Sequence, residues 1–100
     1  MPGDEDFFAP PPFRPDEALQ RLRRDLRELG LSEREGVFER RGVAVARAQV
    51  NDGVIAAARV RRPSRASPEW LPSRLDSAAA LRDFVAALKK ALQQWEHQDD

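Results

Sequence analysis

The sequence predicts a two-layer α+β domain of order α-β-β-β-α, with a three-stranded antiparallel meander and two helices packed on one face. Three observations predict it. Residues 43–62 read as a β-hairpin, two apolar runs joined by Asn51-Asp52-Gly53. Arg40-Arg41-Gly42 repeats that turn chemistry and adds a strand, Gly36 to Glu39, in front of it. A leucine stripe precedes the sheet and an aromatic-containing stripe follows it, both at helical spacing.

Residues 1–14 are expected to be a flexible tail. Pro10 to Pro12 favour polyproline II, and Asp4, Glu5 and Asp6 make the start acidic. Phe7, Phe8 and Phe13 allow two readings, a docking peptide for a partner's groove or rings folded back beside the first helix.

A single domain then spans 15–97. Its first helix opens at Pro15, carries Asp16 and Glu17 at the positive end of the dipole, and closes at Gly30. Leu19, Leu22, Leu26 and Leu29 form its apolar stripe, and Leu31 can close back on Leu26. The opposite side mixes Arg21, Arg23, Arg24 and Arg27 with Asp25 and Glu28, a self-neutralising solvated surface. Ser32 to Glu35 reads as a charged connection.

In the hairpin, a three-residue loop with Gly53 in the left-handed position sets Val50 opposite Val54. Alternation then collects Ala44, Ala46, Ala48, Val50, Val54, Ala56, Ala58 and Val60 on one wholly apolar face, which is expected to turn inward. Val43, Val45, Arg47, Gln49, Ile55, Ala57, Arg59 and Arg61 fall on the other face, towards solvent. Phe38 is expected opposite Ala44, on the inward side.

Pro63, Pro68 and Pro72 make residues 63–74 a loop. Asp76 or Ser77 caps a last helix that runs to about Glu96, with Leu81, Phe84, Val85, Leu88, Ala91, Leu92 and Trp95 as its stripe. Residues 98–100 read as a disordered acidic tail.

Composition narrows the function classes. A chain of 100 residues with flexible ends has a small core, which makes a homodimer an expectation. There is no cysteine, so disulfides and thiolate metal sites are excluded. No apolar run approaches the ~20 residues that a membrane helix needs. The acidic start lacks the apolar stretch of a signal peptide, and the cytoplasm is the expected location. Fifteen arginines against two lysines, with alanine equally common, suggest a GC-rich, bacterial-like source. Net charge is zero, which argues against a general polyanion binder, although eight arginines between Gly36 and Leu75 face three acids.

No catalytic constellation assembles, so the expected protein is not an enzyme and needs no cofactor or metal. His97, the only histidine, lies in a polar terminal stretch without a partner to orient it. The expected role is a non-catalytic protein-interaction module, self-associating or part of a protein complex. Its surface would be Val43, Val45, Ile55 and Ala57 on the outer sheet face, with Trp70 in the loop. The alternative is a nucleic-acid-binding domain, with Arg47, Arg59, Arg61, Arg62, Arg65, Arg74 and Ser64 as its anion-binding set. The element order is also that of double-stranded-RNA-binding domains. Those use a lysine cluster at the start of the last helix, where this chain has Ser77-Ala78-Ala79-Ala80, so the likeness stops at topology.

Overall fold

The computed structural model describes residues 12–98, with side chains through Glu96. Expectations for residues 1–11, Phe7 and Phe8 among them, for the His97 side chain and for Asp99 and Asp100 lie outside the described residues. The class is α+β, with two helices and an antiparallel sheet. The sheet has five strands where the sequence predicts three.

In chain order the elements are α1 (Pro15–Glu28), β1 (Ser32–Arg34), β2 (Val37–Arg40), β3 (Val43–Asn51), β4 (Val54–Val60), β5 (Trp70–Leu75) and α2 (Ala78–Gln98). Each strand pairs with the next in sequence, so the sheet is a simple meander.

α1 begins on Pro15 and ends in a Schellman motif. The Leu31 amide donates to the Leu26 carbonyl at 3.3 Å and the Gly30 amide to Arg27 at 2.9 Å, with Gly30 at φ +90°. This closure turns the chain straight into β1. α2 is capped by Ser77, whose Oγ accepts the Ala80 amide at 3.1 Å.

All three hairpin turns are two-residue turns with both residues at positive φ: Glu35-Gly36, Arg41-Gly42 and Asp52-Gly53. That is the I′ geometry, whose twist matches the twist of the flanking strands. The three-residue loop expected at 51–53 is therefore corrected. Asn51 stays in the ladder opposite Val54, and Val50 lies opposite Ile55. A one-residue change of register reverses the faces of one strand against the other. Ala48 and Ala46 still turn inward, but with Ala57 and Arg59 opposite them rather than Ala56 and Ala58.

A bulge repairs the register on the other side of β3. Phe38 pairs with Ala46 and Glu39 with Ala44, leaving Val45 as the extra residue. The insertion lets Val45 and Ala46 both be fully buried and sets Phe38 on the inward face. Phe38 thus lies opposite Ala46, two residues beyond the expected Ala44.

The inward face carries Phe38, Ala46, Ala48, Ile55, Ala57 and Leu75, and both helices pack on it. Leu22 and Leu26 of α1 and Leu81, Phe84, Leu88, Leu92 and Trp95 of α2 join it in one cluster. Phe13 packs against that cluster from in front of α1, so the ring is part of the domain rather than of a free tail. Small residues at 46, 48 and 57 bring the backbone of the sheet close to the helices, as ridges of leucine and phenylalanine require.

β1 and β5 are the strands that sequence patterning missed. β1 is a three-residue charged edge, tied to α1 where Arg23 Nε donates to Glu33 Oε1 at 2.8 Å. β5 includes Pro72, and proline, which has no amide hydrogen to donate, is confined to such edges.

Candidate interaction surface

Among the described residues, no polar or charged residue is fully buried, and no buried side-chain nitrogen or oxygen lacks a partner. The chemistry of this chain is therefore to be sought on its surface. No described helix is long and apolar enough to cross a membrane.

Among the described residues no element covers the sheet face opposite the helices, and register alone writes its side chains in rows. One row runs Arg34, Val37, Arg47, Ala58, Pro72 from edge to edge. A second runs Gln49, Ala56, Arg74, and at the far end Val60 lies opposite Trp70. The Arg47 guanidinium stands 4.4 Å from the centroid of the Trp70 ring, a cation–π contact. Arg47 is exposed and Trp70 half-buried, while Ala58 between their strands is only 3% exposed. The face carries Arg34 on one edge strand, Trp70 and Arg74 on the other, and Arg47 between them.

Its edges are closed to strand addition. β1 is too short and too charged to template another strand, and Pro72 interrupts the donors of β5. A partner would have to meet the face rather than the rim.

The five residues expected to form the interaction surface do not come together. Val45, Ile55 and Ala57 are core, with at most 5% of any of them exposed. The reason is physical: the two-residue turn sends Ile55 and Ala57 under the helices, and the bulge buries Val45. Val43 is half-buried beside the β2–β3 turn, and Trp70 alone belongs to the open face.

The arginines divide into three groups. Arg47 and Arg74 lie on the open face, Arg74 3.8 Å from the Asp76 carboxylate. Arg59 has turned to the helix side, a correction that follows from the β4 register. It is half-buried, its Nη1 donates to the Val60 carbonyl at 3.3 Å, and it lines a shallow groove with Leu71, Lys90, Gln94 and Trp95. Its long stem crosses the end of the core and the charge stays in that groove, so no ion is buried.

Arg61, Arg62 and Arg65 belong to the loop 61–69. Arg61 meets Glu69 twice, amide to carbonyl at 2.9 Å and Nε to carboxylate at 3.0 Å, which closes the loop at its base. Arg65 reaches back to the Arg41 carbonyl at 3.5 Å. Ser64, expected to bind anions, instead accepts the Ala66 and Ser67 amides on its Oγ at 3.3 and 3.2 Å. Its role is to hold the turn. Arg62 is exposed.

Arg34, Val37 and Pro72 of the open face were missed from sequence, whereas Gln49 was expected on the solvent side and lies there. Arg34 and Pro72 lie on strands that carry no alternation.

Fold and surface together define a small α+β domain with an apolar interior and one arginine-bearing sheet face that no described element covers. No family model matches the chain, and neither a curated protein nor a solved structure does.

Proposed function

We propose that the protein is a non-catalytic interaction module that self-associates through the uncovered face of its sheet, alone or within a larger complex. The observation that carries this reading is the Arg47–Trp70 pair on a sheet face that no other described element covers. Tryptophan and arginine at a surface are the residue types that dominate binding energy at interfaces, and here the tryptophan is half-buried. Glu39 is the acid on this face, against Arg34, Arg47 and Arg74, so the favoured partner surface is acidic and aromatic. The chain's own sequence carries such a segment in Asp4-Glu5-Asp6-Phe7-Phe8, which makes a second copy the natural partner.

One observation favours nucleic acid as the second reading. Arg40, Arg41 and Arg65 line the junction of the β2–β3 turn and the loop 61–69, Arg61 and Arg62 are exposed on that loop, and Arg47 is exposed on the sheet. Sedimentation at low and high salt separates the two. Self-association through an aromatic platform persists at high salt and is weakened by Arg47→Ala. Nucleic-acid binding, read by gel shift, falls steeply with salt and is lost when Arg61 and Arg62 are both changed to alanine.

A further inference from the structure

We infer that the open face is filled by an exchanged arm: residues 4–8 of a second copy dock across Arg47 and Trp70 of the first. This rests on the proposed self-association through that face and names what the face takes. It does not take another face of the same kind. A two-fold contact sets a patch against itself. Two open faces brought together would place the arginines of one on those of the other, a like-charge contact that opposes docking. Arg34 and Arg47 stand in no ion pair among the described residues, and Glu39, the acid of the face, bridges to neither. Arg74 alone is answered, by Asp76. What the face lacks is carboxylate.

The chain supplies that complement in one place, three consecutive acids followed by two aromatic rings, Asp4-Glu5-Asp6-Phe7-Phe8. Asp99 and Asp100 bring charge with no adjacent phenylalanine or tryptophan. In an extended segment alternate residues share a side, about 7 Å apart. Asp6 and Phe8 would therefore meet the face together, the carboxylate at Arg47 and the ring along Trp70 and Pro72. The cation–π contact of Arg47 with Trp70 uses the charge of the guanidinium and none of its five N–H donors. Those donors remain for a forked bond to a carboxylate.

The arm comes from the other copy because of where its own domain holds it. Phe13 packs on the core from in front of α1, in the helix layer. α1 packs against β1, β3, β4 and α2, and it is α2 that packs against β5, the strand of Trp70. The chain from Phe8 to Phe13 spans at most about 18 Å at ~3.6 Å per residue. A helix is about 10–12 Å across, so the way round α2 to the far side of the sheet is on the order of 20 Å or more. Phe8 falls short of the Trp70 of its own chain. Two copies related by a two-fold axis avoid that detour: each gives one arm and takes one, and the exchange closes at a dimer.

The test uses full-length chains in sedimentation equilibrium, with a labelled peptide of residues 1–11 as the probe. A variant carrying Asp4→Lys, Glu5→Lys and Asp6→Lys leaves every described residue in place, so its circular-dichroism spectrum should match wild type. Its dimer should be weaker by more than about tenfold. The peptide should bind this variant saturably and move the Trp70 indole NMR signal, and it should not bind the Arg47→Glu chain. If the lysine variant dimerises as strongly as wild type while Arg47→Glu does not, the exchange is wrong and association through the open face stands. If the peptide binds the lysine variant but wild type is monomeric at every concentration, the arm occupies its own chain and the exchange is again wrong. A peptide that binds neither chain, or binds Arg47→Glu equally well, would also overturn it.

Discussion

Arg47 and Trp70 lie on strands that are not neighbours, yet the guanidinium sits 4.4 Å from the ring centroid. β4 runs between them, and the residue it offers at that crossing is Ala58, which pairs with Arg47 on one side and Pro72 on the other. A methyl group is small enough for an arginine stem to pass over. The contact is therefore a consequence of three residues, and it can be broken from the middle. Ala58→Leu should separate the pair and cost about 1–3 kcal/mol by overpacking. Arg47→Ala should cost about 0.5–1 kcal/mol. Urea unfolding gives both values, and the Trp70 indole NMR shift should move in each variant.

The register of β3 on β4 makes a sharper prediction. Ala57 is 5% exposed beneath the helices, whereas Ala56 is half-buried on the open face. Ala57→Asp should unfold the domain or cost several kcal/mol, because a charge would enter an interior without partners. Ala56→Asp should be tolerated within about 1 kcal/mol. The three-residue loop would reverse the order of the two, so circular-dichroism melts of the pair decide between the registers.

Two glycines in equivalent turns should differ in how they respond to alanine. At Gly53, φ is +76° and an added Cβ meets nothing, so the cost is conformational, about 1–2 kcal/mol. At Gly36, φ is +81° and the Cβ would also lie 3.1 Å from the carbonyl oxygen of Ala48, whose amide donates to the Gly36 carbonyl at 3.0 Å. Gly36→Ala should therefore be the more destabilising of the two, as measured by urea midpoints.

Arg23 and Glu33 tie α1 to β1 at 2.8 Å, with the carboxylate side chain 16% exposed. A double-mutant cycle with Arg23→Ala and Glu33→Ala should return a coupling of about 1 kcal/mol, larger than the exposed Arg14–Glu17 pair gives. Added salt should diminish the second more than the first.

α1 was legible because its signals are local: Pro15 at the start, Gly30 and Leu31 at the end, leucines at one spacing between them. The inward side of β3 was legible for Ala46 and Ala48 for the same reason. The side of β4 was not, because it depends on whether Asn51 belongs to the turn or the strand, and both occur in hairpins that end in Asp-Gly. β5 was hidden by Pro72 and by the prolines before it, since a strand that tolerates Pro72 must be an edge, and edges are known only when the sheet is assembled. With β5 hidden, Trp70 could be placed beside the arginines of the loop but not under Arg47. Val45 was misplaced by a bulge, which leaves no mark in a run of alternating alanine and valine.

The claim that the bare sheet face is where this protein meets its partner is tested most directly by sedimentation equilibrium of the full chain and of Arg47→Glu across a wide concentration range. Arg47 is exposed, so the variant should fold with an unchanged circular-dichroism spectrum. The prediction is a reversible dimer for the wild-type chain and a monomer for the variant at the same concentrations. A wild-type chain that stays monomeric throughout, or a variant that associates as strongly as wild type, would contradict it.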